Sequence, residues 1–281
     1  MIRIVTDSTC DLPAELVERH GVTVIPISIQ FGRETFEEGV TLSRPEFYRK
    51  VEALNMIPMT SQPSLGQFHM AYRGLGQRPD TDAILSIHIT GHLSGTHNAA
   101  RLAADQMEEG PPITVFDSLS GSMGLGFMVL EAAQMAETGA GISAILARLE
   151  ELRRRMCIFF SLDDLRFAHM SGRVGGVRSM FVSVLQIKPM LTVQEGRLEL
   201  VRRVRNRAAA LRCLVDSFAE SLGSLPARIA VIHAVAPEAA EEVKASILPR
   251  VRATEVYVQD LSIGIAVHFG PGTVGLVGYA L

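Results

Sequence analysis

Short apolar runs alternate with amphipathic stretches along the whole chain. Runs near residues 2–6, 22–28, 82–88, 113–116, 157–161, 187–193, 197–203, 227–234, 254–258 and 274–280 predict strands, and helical periodicity fills most of the intervals. That order is the pattern of α/β layers and predicts mainly parallel sheets. Local signals sharpen it. Ser43 and Glu46 have capping-box spacing, with Pro45 in the first helical turn. Val193-Gln194-Glu195-Gly196-Arg197 reads as a tight hairpin, with Gly196 free to take positive φ. A helical pattern from about 142 to 156 ends in Arg153-Arg154-Arg155, read as a solvated helix end that complements the helix dipole. The break there predicts two α/β domains, 1–155 and 156–281, with a ligand site where they meet.

Composition narrows the class. The 281 residues are 47% hydrophobic and 20% charged, enough apolar surface for two buried cores. A formal charge of -3 supplies no basic surplus for phosphate backbones, so nucleic acid is not an expected partner. Cys10, Cys157 and Cys213 are odd in number and scattered, which argues against a disulfide framework and a cysteine zinc site. Met1-Ile2-Arg3-Ile4-Val5 runs directly into a strand pattern without the layout of a secretory signal, and no apolar run reaches about 18 residues. A cytoplasmic protein with no membrane span is expected.

Several segments could carry chemistry. Asp7-Ser8-Thr9-Cys10-Asp11 follows the first strand, where open α/β sheets place ligands. It reads as a capped turn or, alternatively, as the acidic site of a phosphatase using Asp7. Thr60-Ser61-Gln62-Pro63-Ser64 is a polar turn before a helix that Ser64 can cap. Thr90-Gly91-His92-Leu93-Ser94-Gly95-Thr96 carries a buried strand into a hydroxyl- and glycine-rich helix start, suited to capping or to holding an anion. Ser94 as a nucleophile with His268 as base would make a serine hydrolase acting on an acyl ester, although the turn lacks the Gly-x-Ser-x-Gly elbow. His88, His92 and His97 straddle strand, turn and helix and do not compose a metal site. Gly270-Pro271-Gly272-Thr273-Val274-Gly275 matches the dinucleotide fingerprint by letter, but no helix can follow it, so its glycines predict a close turn.

In order along the chain, Ile4-Val5-Thr6-Asp7-Ser8-Thr9-Cys10-Asp11-Leu12, Thr60-Ser61-Gln62-Pro63-Ser64, Leu93-Ser94-Gly95-Thr96, Asp117-Ser118, Gly172-Arg173-Val174, Ile187-Lys188-Pro189-Met190-Leu191 and His268-Phe269-Gly270-Pro271-Gly272 resemble the motifs of the DegV family of lipid-binding proteins. The resemblance implies a non-catalytic carrier that binds a long-chain, palmitate-like fatty acid and needs no cofactor or metal. It implies a hydrophobic tunnel for the tail near the domain interface. Thr60 and Ser94 would donate hydroxyls to the carboxylate, His268 would contribute from the second domain, and Ser61, Gly95 and Thr96 would lie close by. It further implies presentation of the acid to a fatty acid kinase, which forms an acyl-phosphate for phospholipid synthesis, with Arg173, Arg203 and Arg205 as docking candidates and transient membrane contact. Ile89-Thr90 stands where family members often have serines, and Met170-Ser171 departs from their basic lead-in.

Overall fold

The computed structural model describes residues 1–163, 165–173 and 187–281, so Val174 of the fifth motif lies outside the described residues. The chain divides into two units, Met1–Arg154 with Ser262–Gly264, and Arg155–Leu261 with Ile265–Leu281.

In chain order the first unit runs β1 (Ile2–Asp7), α1 (Ala14–Arg19), β2 (Thr23–Ile25), β3 (Ser28–Phe31), β4 (Glu34–Glu37), α2 (Arg44–Leu54), β5 (Met59–Ser61), α3 (Leu65–Gly76), β6 (Ala83–His88), α4 (Thr96–Asp105), β7 (Ile113–Asp117), α5 (Ser122–Glu137) and α6 (Ile142–Arg155). Its main sheet has the order β2-β1-β6-β7 and is parallel throughout. The apolar run expected as one strand over 22–28 is split. Pro26 lacks an N–H for a ladder, and the chain turns there from β2, which pairs with β1, into β3, the centre of an antiparallel sheet ordered β4-β3-β5. Strands β4 and β5 are short and carry polar residues, so their strand character comes from pairing with β3.

Phe68 and Tyr72 of α3 and Ala99, Ala100 and Ala103 of α4 pack on Val5 and Ile84 of the sheet. Each large side chain buried this way contributes about 1.5–3 kcal/mol. The expected capping box is present at α2, where Glu46 Oε2 accepts the Ser43 N–H at 3.0 Å. Helix α5 is buried over most of its circumference, as a helix apolar on all sides must be. Gly126 makes this possible, because a Cβ there would run into the Cys10 carbonyl oxygen.

The second unit runs β8 (Cys157–Ser161), α7 (Leu165–Ser171), β9 (Lys188–Gln194), β10 (Arg197–Val204), α8 (Arg207–Leu222), β11 (Pro226–His233), α9 (Pro237–Ile247), β12 (Arg252–Asp260), α10 (Ile263–Phe269) and β13 (Val274–Ala280). The first two residues of α10 are counted with the first unit. The sheet order is β10-β9-β8-β13-β11-β12. Parallel pairing, which runs through the first sheet, is confined here to β11–β12. One reason is the predicted hairpin: Glu195 (φ 48°) and Gly196 (φ 74°) both take left-handed conformations, and so short a link permits only antiparallel strands. Leu214 and Phe218 of α8 and Val243 and Ile247 of α9 form the core with Ile229, Val231 and Leu276 of the sheet.

Candidate ligand site and the polar groups behind it

Asp7 ends β1 and His88 ends the neighbouring β6, so two parallel strands bring them together. Asp7 Oδ1 accepts the Thr9 N–H at 3.1 Å and the Thr9 hydroxyl, and Oδ2 accepts the Ile89 N–H at 3.1 Å and meets His88 Nδ1 at 2.9 Å. His88 Nε2 is 2.7 Å from Ser86 Oγ, which receives the Tyr72 hydroxyl at 2.9 Å. The donors can be ordered. Tyr72 donates to Ser86, Ser86 uses its single proton on Nε2, and Nδ1 therefore carries the proton given to Asp7. All four side chains are fully buried. Asp7 thus serves the turn, as its capping role anticipates, and its filled oxygens offer nothing to a phosphoryl group. Ser86, His88 and Asp7 have the connectivity of a hydrolase triad, but no surface of the serine is exposed. Sequence reasoning passed over this chain of groups. The available signal was Ser86-x-His88 on a strand, since alternate residues share a face.

Two of the sequence-predicted segments meet in the first unit. Thr60 and Ser61 lie on β5, opposite Ile29 and Ser28 of β3. Ser64 caps α3, accepting the Gln67 N–H at 3.2 Å. Between them Gln62 rests on the backbone of Gly95, where a Cβ would come within 2.8 Å of Gln62 Oε1. Ser94 Oγ is 2.8 Å from Thr96 Oγ1, at the start of α4. Thr60, Ser94 and Gly95 are half-buried, Thr96 is buried, and Ser61 is exposed.

The loop before α4 is held by the Asp117-Ser118 motif. The Asp117 carboxylate accepts the N–H groups of Gly91 (3.1 Å) and Leu119 (2.9 Å), and the Ser118 N–H reaches the His88 carbonyl at 3.0 Å. Arg153 corrects an expectation. Instead of ending in solvent, its guanidinium lies 3.9 Å from the Phe116 ring centroid and donates to the Asp117 carbonyl. His97 stands beside Asp117, with its pKa lowered chiefly by burial.

Two further acids were not anticipated as a pair. Asp11, in the left-handed region at φ 52°, accepts the Ser122 hydroxyl and the Ser262 N–H (2.8 Å). Glu38 accepts the Ser8 hydroxyl at 2.6 Å, the Ile263 N–H, and the Gly264 N–H at 3.3 Å. Burial pushes Asp11 up to about 6 against the pull of Ser122 and Arg44. Burial also pushes Glu38 up to about 7, and the Asp11 charge adds to it.

In the second unit His268 occupies the last turn of α10. Burial, and secondarily the charge of Arg173, lowers its pKa to about 4, so the ring is neutral near pH 7 and has one N–H to give. Gly270 (φ 78°) and Gly272 (φ 84°) form the predicted close turn. Added Cβ atoms would meet the Phe167 ring at 2.7 Å and Asp163 Cβ at 2.6 Å. Asp163 pairs with Lys188 (2.7 Å) and Arg207 (3.2 Å), and Arg207 also holds the Gly272 carbonyl at 2.9 Å. Arg173, Arg203 and Arg205 are exposed. Among the described residues no group of three or more His, Cys, Asp or Glu side chains could hold a metal. A surface cavity of about 570 Å³ beside Tyr72, Gln106, Met107 and Pro111 contains none of the candidate residues.

These features define an α/β protein in which the Thr60–Ser64 and Leu93–Thr96 segments meet, the second of them just after the parallel strand β6. The chain belongs to the DegV family, since the family model described as "Uncharacterised protein, DegV family" matches residues 1–280. A DegV domain-containing protein of Deinococcus radiodurans is 36% identical, over 98% of this chain and 97% of the relative. The solved structure of a DegV family protein from Thermus thermophilus, described as fatty acid binding, has a TM-score of 0.92 at 35% identity, over 100% of this chain and 99% of that one. Bacillus subtilis DegV, described as a fatty acid binding protein, has a TM-score of 0.88 at 31% identity, over 100% and 99% of the two chains.

Proposed function

We propose that this protein binds a long-chain fatty acid and carries it without transforming it. The observation that supports this reading most is the contact of Gln62 with Gly95, which joins the Thr60–Ser64 and Leu93–Thr96 segments in a fold shared with fatty-acid-binding DegV proteins. In this reading Thr60 and Ser94 donate to the carboxylate, Ser61, Gly95 and Thr96 border it, and His268 adds the N–H of its neutral ring. A carboxylate accepts several such bonds, and the charge makes them stronger than neutral ones. The tail dominates affinity. Burying about 14 methylenes is worth on the order of 11 kcal/mol before binding costs are subtracted.

The acid would be palmitate-like and handed to a fatty acid kinase for phospholipid synthesis, with Arg173, Arg203 and Arg205 exposed for docking. The bacterial cytoplasm suits Cys10, Cys157 and Cys213, all free thiols. Among the described residues no helix is long and apolar enough to cross a membrane, and in this reading contact with a membrane surface is transient. Gentle purification, organic extraction and mass spectrometry should find close to one long-chain acid per protein molecule. A preparation that is empty and takes up no added palmitate would overturn the reading. Rapid turnover of chromogenic acyl esters, lost in Ser94→Ala, would replace it with a hydrolase.

A further inference from the structure

The first N–H groups of a helix have no acceptor within it, and a single Ser, Thr, Asp or Asn just before the helix normally supplies one. Helix α10 is served differently. Three successive N–H groups, those of Ser262, Ile263 and Gly264, go to two carboxylates far away in sequence, Asp11 and Glu38. Both acids are buried, at 4% and 7% exposure. Glu38 is itself fixed, because Ser8 Oγ donates to it while accepting the Ile27 N–H at 3.0 Å, and the Glu38 N–H reaches the Ile27 carbonyl at 3.0 Å. Two buried carboxylates close enough to repel each other are a costly way to cap a seven-residue helix when a neutral side chain would satisfy the same N–H groups. Helix α10 carries His268 in its last turn, about 7–8 Å along the axis from Ile263 at 1.5 Å per residue.

We infer that Glu38 and Asp11 are positioning residues that clamp the first turn of α10, and through it the His268 imidazole, so that ligand retention depends on Glu38 being ionised. The inference rests on the fatty-acid reading and on His268 as part of its head-group site. Among the described residues, Arg44 acts on Asp11, Asp11 acts on Glu38, and Cys10 lies within reach of Asp11, Asp7 and Glu38. Cys10 stays neutral because burial pushes its thiol far up, while Arg44 pulls Asp11 down. Glu38, raised to about 7, titrates in the neutral range, while His268, lowered to about 4, does not change charge there. A protonated Glu38 loses the charge that favours a helix N-terminus and one of the two oxygens open to the Ile263 and Gly264 N–H groups.

The test loads the full chain with radiolabelled palmitate and follows its release to albumin between pH 8 and pH 6. The wild type should release roughly fivefold faster at pH 6 than at pH 8. Glu38→Gln should release fast at pH 8 with no further rise. Asp11→Asn removes the repulsion and should move the wild-type midpoint to lower pH. Wild-type rate and pH profile in folded Glu38→Gln would overturn the inference. Amide hydrogen exchange gives a readout independent of ligand: Ile263 and Gly264 should exchange at least tenfold faster in Glu38→Gln, and unchanged protection would also overturn it. A wild type that holds no palmitate at pH 8 sinks the fatty-acid reading instead, leaving the clamp to be judged by exchange alone.

Discussion

His88 Nδ1 lies 2.9 Å from Asp7 Oδ2, with both side chains fully buried. Asp7→Ala would leave the His88 ring and the backbone N–H groups of Thr9 and Ile89 without their acceptor. A loss of about 3 kcal/mol or more in urea unfolding is expected, because each buried donor left without an acceptor costs about 1–3 kcal/mol. Tyr72→Phe removes only the far end of the chain of bonds and should cost about 1 kcal/mol. Equal costs for the two variants would mean that the groups do not act as a connected series.

At the candidate head-group site, Ser94→Ala and Thr60→Ala should each weaken fatty-acid binding by about 1–3 kcal/mol if a carboxylate is left short of donors. Ser61→Ala, at an exposed position, should do less. Titration calorimetry on protein stripped of lipid measures this directly. Unchanged affinity in both Ser94→Ala and Thr60→Ala would place the head group elsewhere.

Gly126 supplies a test of sign. In an open helix Gly→Ala gains about 0.5–1 kcal/mol. Here the added Cβ meets the backbone carbonyl of Cys10, so Gly126→Ala should destabilise by about 1–3 kcal/mol in thermal or urea unfolding. The contrast is Gly95→Ala, where the obstructing atoms belong to the Gln62 side chain and can swing away.

Glu38 and Asp11 also set a pH dependence of stability. Their folded pKa values, about 7 and about 6, lie above the ordinary 4.5 and 3.8. Between those limits the folded chain binds more protons than the unfolded one, so their contribution falls as pH rises from about 4 to 7. His268, depressed from 6.5 to about 4, acts oppositely, its contribution being lost as pH falls through that window. Comparing wild type with Glu38→Gln isolates the acid: wild-type stability should decline relative to the variant from pH 5 to pH 8. Acid would then stabilise the fold at Glu38 while loosening the ligand, whereas ordinary acid unfolding would move both together.

Much of the local structure is legible in the sequence. The Ser43–Glu46 capping box, the Glu195-Gly196 hairpin, the Ser64 cap and the helix opening at Thr96 each follow from residues within a few positions of one another. Such features depend on backbone conformation and on nearby donors, which the order of residues specifies directly. Family membership was legible for a related reason, since seven short motifs kept their order along the chain.

Tertiary structure alone decided the rest. It split the run at Pro26 between two sheets, made β4 and β5 into strands by giving them β3 as a partner, and confined parallel pairing in the second sheet to β11–β12. It joined Asp7 to His88, Gln62 to Gly95 and Glu38 to Ile263, pairs too far apart in sequence for any local pattern to connect. The physical reason is that a buried carboxylate or a close glycine contact is chosen by which strands and helices pack together, and that packing is settled by apolar burial over the whole unit.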